Sequence, residues 1–232
     1  MMKKTIGIIG GMGPEGTADL YMKIIKYYQI NFGAKYDKDF PEIFIDSIPI
    51  PDVVESLENE KITLSMLITA TKKLQNVGCN FIVIACNAIQ FLLKLLQREV
   101  KIPILGIATT TAQYLMNKNI CKIGILATST TITKQVYNQE LREKGITLIK
   151  PDNQEQLMLT EVIMNQLAGK TSRLDKGKLI KIIVSMKKRG AEAVLIACTD
   201  LPMIVNQINT DIKLIDCTQI YADEAARFAN SS

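Results

Sequence analysis

The sequence of 232 residues contains no histidine. This absence excludes Ser-His-Asp and Cys-His hydrolases, HExxH metalloenzymes and histidine proton shuttles. Any acid–base chemistry must therefore use cysteine, aspartate, glutamate, lysine or tyrosine. The five cysteines also lack close CxxC spacing, which argues against a disulfide framework and against a structural zinc site. We therefore expect reduced thiols and no metal.

Long apolar runs and tracts of like charge are missing as well. Residues 1–7 hold too few apolar side chains before a glycine cluster to form a signal peptide or a membrane span, so we expect a cytoplasmic protein with no membrane partner. The formal net charge of +5 is modest and the lysines are scattered, so no nucleic-acid partner is expected.

The chain does contain short apolar, β-branched runs that alternate with amphipathic stretches. This alternation is typical of βαβ units, in which helices flank a parallel sheet, and it predicts an α/β fold. The strands are predicted at residues 5–10, 42–46, 81–86, 102–107, 121–128, 147–150, 194–198 and 212–216. The helices are predicted at 15–30, 62–77, 89–97, 110–116, 133–144, 156–167, 174–188 and 217–229.

Two of the predicted strands end in the same three residues, Ile-Ala-Cys. Their cysteines, Cys86 and Cys198, are 112 residues apart, and Gly124 repeats Gly7 at a similar distance. The repeat predicts two pseudo-symmetric domains, 1–112 carrying Cys86 and 113–232 carrying Cys198. The last helix (217–229) could pack back on the first domain. Because ligands bind beyond the carboxyl ends of such strands, we expect one active-site cleft between the domains.

A glycine loop follows the first predicted strand. Residues 11–16 fit the G-x-G-x-x-G pattern of dinucleotide sites, yet no acidic residue clearly ends a second strand about 20 positions later. Pro14 also removes an N–H group from the loop. A tight turn or a site for a smaller anion remain the alternatives.

Cys86 and Cys198 are the candidate catalytic residues. Each closes a buried strand, and a helix N-terminus expected directly after it would lower the thiol pKa. Two facing thiols suit inversion of a carbon acid, because one thiolate can remove a proton while the opposite thiol returns one. This chemistry requires no metal and no organic cofactor. The alternative is that these thiols are buried structural groups, which is how we interpret Cys79, Cys121 and Cys217.

Several motifs resemble the aspartate/glutamate racemase family, and most of all its aspartate-racemase-like branch. They are residues 6–14 with Thr17, residues 50–52, Ala85-Cys86-Asn87, residues 126–128 with Thr131 and Tyr137, Ala197-Cys198-Thr199, and residues 214–216. The resemblance implies a homodimer that racemises an amino acid without a cofactor. It also implies substrate contacts by Gly11, Met12, Gly13, Asp52, Asn87, Thr128, Thr131 and Thr199.

The departures from the family pattern concern substrate binding. Ala88 and Gln90 stand where the family usually has threonine and histidine, and Asp200 replaces a glutamate. Val53 and Leu167 stand where the family's aspartate racemases carry two cations that hold the distal carboxylate of the substrate. The substrate could therefore be aspartate, glutamate or a neutral amino acid, and Lys150 or Lys170 could replace a lost cation.

Two other functions remain open at this point. One is a related lyase or isomerase that uses the same cleft, such as a malonate decarboxylase or a maleate isomerase. The other is a catalytically silent homologue that only binds a ligand.

Overall fold

A computed structural model describes residues 3–55 and 59–231 of the chain. Helices and strands alternate through both halves of this part. The first half contains β1 (Ile6–Gly10), α1 (Pro14–Asn31), β2 (Ile43–Ser47), α2 (Glu60–Asn76), β3 (Phe81–Ile84), α3 (Leu93–Gln97) and α4 (Ile107–Asn117). The second half contains β4 (Lys122–Ala127), α5 (Ser129–Thr133), α6 (Asn138–Glu143), β5 (Thr147–Ile149), α7 (Asn153–Leu167), α8 (Arg173–Lys188), β6 (Ala193–Ala197), α9 (Pro202–Val205), β7 (Lys213–Asp216) and α10 (Cys217–Asn230).

The strands form two parallel sheets with related strand orders. The first sheet has the order β2-β1-β3, and the second has the order β5-β4-β6-β7. A single parallel bridge between Ile82 and Ile104 extends the first sheet at the position that β7 occupies in the second. The strands β1, β3 and β6 are buried along their whole length, as expected where helices cover both faces of a parallel sheet. The predicted fold class is confirmed.

The structure differs from the predicted elements at three places. The strand expected at residues 102–107 is reduced to the bridge at Ile104, whose neighbour Pro103 has no N–H group to donate to a ladder. The helix expected at 133–144 is two short helices, α5 and α6, separated by a turn in which Gln135 has a φ of 54°. The short helix α9 was not predicted.

One hydrophobic core spans both halves of the molecule. It joins residues of β1, β3 and α1 to residues of β4, β6 and α10. Each large apolar side chain buried there contributes about 1.5–3 kcal/mol to folding. Because this core is shared, it stabilises the arrangement of the two halves as well as each half alone.

The C-terminal helix α10 packs against α1 and α4. The hydroxyl of Tyr221 donates to the carbonyl of Leu105 at 2.6 Å and accepts from the N–H of Ile84 at 3.1 Å. The backbone N–H of Lys4 donates to the carbonyl of Ala229 at 2.8 Å. The last helix is therefore attached to the first sheet by hydrogen bonds as well as by apolar packing.

Candidate active site

The carboxyl ends of five strands meet around one cavity of about 200 Å³. The loops after β1, β2, β3, β4 and β6 supply its walls, together with the last residue of α7. The lining residues are Gly11, Met12, Gly13, Pro14, Ile50, Pro51, Asp52, Val53, Val54, Cys86, Asn87, Ala88, Thr128, Leu167, Cys198, Thr199 and Asp200. The two sheets thus contribute to a single site.

The glycine loop forms one wall of this cavity. Gly11 has a φ of +94°, and a Cβ atom there would lie 2.4 Å from the carbonyl oxygen of Ile48. The hydroxyl of Thr17 accepts from the N–H of Gly11 at 2.9 Å and donates to the carbonyl of Gly13 at 2.9 Å. These contacts fix the loop so that its backbone faces the cavity.

Cys86 and Cys198 both line the cavity, and each side chain is only 4% exposed. The predicted helix N-terminus after each cysteine is wrong. A turn and a 3-10 helix, Gln90–Leu92, follow Cys86, and a turn separates Cys198 from α9. The two cysteines therefore lie in similar surroundings, but neither lies at the start of a helix.

The predicted lowering of the thiol pKa values is also wrong. Burial raises the pKa of Cys86 to about 12, although the N–H groups of Ile89 and Ala88 act in the opposite direction. Burial raises the pKa of Cys198 well above its ordinary value, and the negative charge of Asp200 is the second cause of this increase. Both side chains are therefore thiols at neutral pH, and each becomes a strong base when it loses its proton.

Asp200 is a buried carboxylate, which the sequence distinguishes only as a departure from the family pattern. The thiol of Cys198 donates to its Oδ2 at 3.9 Å, and its Oδ1 has no hydrogen-bond partner among the described residues. Burial and the nearby charge of Glu15 raise the pKa of Asp200 to about 6. Its position directly after Cys198-Thr199 is the sequence feature that could have placed it in the site.

Asn87 is a lining residue of the cavity and carries a buried amide. Its Oδ1 accepts from the hydroxyl of Tyr137 and lies 3.5 Å from the sulfur of Cys217. Its Nδ2 is buried without a hydrogen-bond partner in the described part of the chain. An unpaired buried donor costs about 1–3 kcal/mol, so this atom is suited to bind an acceptor such as a carboxylate.

The threonines predicted to bind substrate have different positions. Thr128 and Thr199 line the cavity, but Thr131 is not among the lining residues. The hydroxyl of Thr128 lies 2.9 Å from that of Thr131 and accepts from the N–H of Thr131 at 3.1 Å. In this structure Thr131 supports Thr128 and does not face the cavity directly.

The remaining wall is mainly apolar and, among the residues that the structure describes, carries one carboxylate and no cation. Val53, Ala88 and Leu167 all line it, as the comparison with the family pattern expected for their positions. Asp52 also lines it and accepts from the N–H groups of Val54 and Glu55, each at 3.0 Å. Neither Lys150 nor Lys170 is a lining residue.

The other three cysteines lie outside the cavity. Cys79 and Cys217 are buried, as expected for structural thiols, but Cys121 is exposed, so its interpretation as a buried residue is wrong. Within residues 3–55 and 59–231, no cluster of three or more cysteine or acidic side chains could hold a metal ion. In the same part of the chain, no helix is both long and apolar enough to cross a membrane.

The fold and the cavity define a class of protein, an α/β protein of two parallel sheets with one thiol from each half in a shared site. The chain belongs to the family described as Asp/Glu/Hydantoin racemase, whose model matches residues 9–225. The resemblance seen in the motifs is therefore confirmed. The named members of this family are racemases, which are isomerases.

Individual relatives and solved structures agree with this assignment. The broad specificity amino-acid racemase RacX of Bacillus subtilis is 27% identical over 221 residues, which cover 94% of each chain. An aspartate racemase homologue from Pyrococcus horikoshii has a TM-score of 0.81 and 29% identity, over 98% of this chain and 100% of its own. The Picrophilus torridus aspartate racemase has a TM-score of 0.84 and 26% identity, over 99% and 95% of the two chains.

Proposed function

We propose that this protein racemises a small amino acid by proton transfer between Cys86 and Cys198, without a cofactor. One observation carries the proposal: a thiol from each half of the molecule lines the same cavity of about 200 Å³. A cavity of this size suits a small substrate. The substrate contacts that we propose are those of Gly11, Met12, Gly13, Asp52, Asn87, Thr128 and Thr199, with Thr131 acting through Thr128.

The proposed reaction needs one thiolate and one thiol in each turnover. The thiolate removes the Cα proton and becomes a thiol, and the electron pair of the broken C–H bond spreads onto the substrate carboxylate. The opposite thiol then protonates the other face of Cα and becomes a thiolate. The free Nδ2 of Asn87 and the N–H groups of the glycine loop would stabilise the charge that develops on the carboxylate.

Asp200 is the carboxylate in contact with the thiol of Cys198. Its Oδ2 lies 3.9 Å from the sulfur of Cys198, and its pKa of about 6, raised mainly by burial, leaves it ionised at neutral pH. Its negative charge keeps Cys198 in the thiol form, the form that returns a proton to Cα. We therefore propose that Asp200 orients Cys198 as the proton donor, and that a thiolate forms when a cysteine of the pair loses its proton to solvent. No equivalent carboxylate hydrogen bond reaches Cys86 among the described residues.

The charges around the cavity favour a neutral substrate side chain. The lining residues include two carboxylates, Asp52 and Asp200, and no lysine or arginine among those described. A substrate with a second carboxylate would lose its hydration here without gaining a cation, which is costly. Val53 and Leu167 offer apolar surface instead.

Exchange of the Cα proton in deuterated water, measured by mass spectrometry over a panel of amino acids, tests this function. We expect exchange and inversion with neutral amino acids and slower reaction with aspartate and glutamate. The absence of exchange with every substrate would refute the racemase proposal. A clear preference for aspartate would refute only the proposed specificity.

A second candidate is a binding protein without catalytic activity, which the raised pKa values of both thiols favour. It predicts tight amino-acid binding with no exchange. Analysis of products in the same experiment would also reveal a related lyase or isomerase.

The resemblance to the family supports further proposals on organisation. We propose two domains, 1–112 and 113–232, a cytoplasmic location and a homodimer. We propose no nucleic-acid and no membrane partner. Analytical ultracentrifugation tests the homodimer, and a monomer at micromolar concentration would contradict it.

A further inference from the structure

We propose that Tyr137 and Cys217 are positioning residues that hold the amide of Asn87 with its Nδ2 turned to the substrate. This inference rests on the proposed function, in which Asn87 binds the substrate carboxylate. Nothing in the racemase chemistry itself requires a tyrosine or a third cysteine. Their role follows from contacts that converge on a single atom.

That atom is Oδ1 of Asn87. It accepts a hydrogen bond from the hydroxyl of Tyr137, and the thiol of Cys217 donates to it at 3.5 Å. An amide oxygen has two lone pairs, so these two donors occupy its accepting capacity. The Nδ2 atom of the same amide is left without a partner among the described residues, on a side chain that lines the cavity.

The hydroxyl of Tyr137 and the thiol of Cys217 both stay protonated at neutral pH, so both can donate hydrogen bonds. Burial raises the pKa of Cys217 to about 12, and burial, followed by the neighbouring Cys217, raises the pKa of Tyr137 well above its ordinary value. Tyr137 and Cys217 are each no more than 1% exposed, so water does not compete for Oδ1 from their side. The arrangement is therefore the same throughout the neutral pH range.

The contact also joins the two sheets. Asn87 follows β3 of the first sheet, whereas Tyr137 immediately precedes α6 and Cys217 is the first residue of α10, after β7 of the second sheet. The second half of the molecule thus orients a substrate-binding donor of the first half. A shift between the halves would move this donor, which links the geometry of the domain pair to binding.

A double-mutant cycle with Asn87 separates positioning from a purely structural role. We expect Tyr137→Phe to lower kcat/KM about tenfold, with a larger change in kcat than in KM, because the lost order matters most in the transition state. In the Asn87→Ala background the same substitution should change kcat/KM less than twofold. Cys217→Ala should lower kcat/KM about threefold, and Cys217→Ser, which keeps a donor, should restore it.

Tyr28→Phe is the matched control. Tyr28 is also fully buried, and its hydroxyl donates to the carbonyl of Ala226 at 3.4 Å, but it does not line the cavity. We expect wild-type kinetics for this variant. Thermal unfolding of all variants reports any loss of stability separately. If Tyr137→Phe does not fold, the double-mutant cycle with Asn87→Ala is measured with Cys217→Ala, and Cys217→Ser serves as its conservative variant.

A second measurement needs no substrate. The side-chain NH₂ signals of Asn87 in a ¹⁵N NMR spectrum can be assigned by their loss in Asn87→Ala. We expect them to shift in Tyr137→Phe and Cys217→Ala but not in Tyr28→Phe. Unchanged signals in both variants would overturn the inference, and so would an equal kinetic effect of Tyr137→Phe in both backgrounds. A wild-type protein without exchange activity would refute the proposed function, and the NMR signals alone would then decide the positioning role.

Discussion

The reactivity of Cys86 is the most direct consequence of its burial. Its pKa is raised from the ordinary value of 9.0 to about 12, mainly by burial. Three pKa units correspond to about 4 kcal/mol against the thiolate. At pH 8 about one molecule in ten thousand carries the thiolate, compared with about one in ten for a thiol of pKa 9. Alkylation of Cys86 should therefore be about a thousandfold slower than alkylation of such a thiol.

The assay is alkylation by iodoacetamide between pH 7 and 10, with each cysteine-containing peptide quantified by mass spectrometry. Cys121, the exposed cysteine, is the reference within the same chain. Burial also slows access of the reagent, but this effect does not depend on pH. The informative quantity is thus the slope, and the rate for Cys86 should rise about tenfold per pH unit without a plateau up to pH 10.

A plateau below pH 9, or faster alkylation of Cys86 than of Cys121 at pH 7, would refute the reasoning from burial. Such a result would favour the lowered pKa that the sequence first suggested. Alkylation in guanidinium chloride is the control. There Cys86 and Cys121 should react at similar rates, because unfolding removes the burial.

Three further predictions concern the walls of the cavity. Asp200 has a pKa raised to about 6 by burial, so protonation below pH 6 should lower kcat/KM, because a neutral carboxyl group is a weaker acceptor for the thiol of Cys198 and orients it less well. Asp200→Asn should be slower and lack this acid limb, and an unchanged pH profile would contradict the role. Gly11→Ala should reduce the free energy of unfolding in urea by about 1–3 kcal/mol, because φ is +94° and the new Cβ would lie 2.4 Å from the carbonyl oxygen of Ile48. Gly145→Ala is its control, with φ +69° and nothing within 4 Å, and an equal loss in both variants would show that the clash is not important. Leu167→Lys should shift the ratio of kcat/KM values for aspartate and a neutral amino acid about tenfold toward aspartate. A cation about 4 Å from a carboxylate near a protein surface gains about 4 kcal/mol, and a tenfold change needs only part of this energy. Leu157→Lys, on the exposed face of the same helix, is the control and should leave the ratio unchanged.

The fold was largely predictable because several of its strands, among them β3 and β6, are buried along their whole length. Such strands appear in the sequence as short β-branched runs, and the runs before Cys86 and Cys198 revealed the repeat. The helix expected at 133–144 failed for a local reason. The Thr128 side chain caps a helix that begins at Ser129, and Gln135 then adopts a positive φ that ends it.

Most of the predicted site residues line the cavity, Thr131 being the exception, but the electrostatics of the cavity were not predictable. The position of a thiol at the end of a strand is visible in the sequence, whereas its exposure depends on the packing of both halves. Burial therefore outweighed the favourable N–H groups near Cys86. Likewise, the contact between Asn87 and Tyr137 joins residues 50 positions apart, so no local sequence pattern predicts it.

The central claim is that Cys86 and Cys198 act on opposite faces of the substrate. The most direct test follows Cα deuterium incorporation and inversion separately, starting from each enantiomer, in Cys86→Ser and Cys198→Ser. Neither variant should invert the substrate, and each should exchange the Cα proton of only one enantiomer, a different one in each variant. Inversion at the wild-type rate by either variant would contradict the two-thiol account.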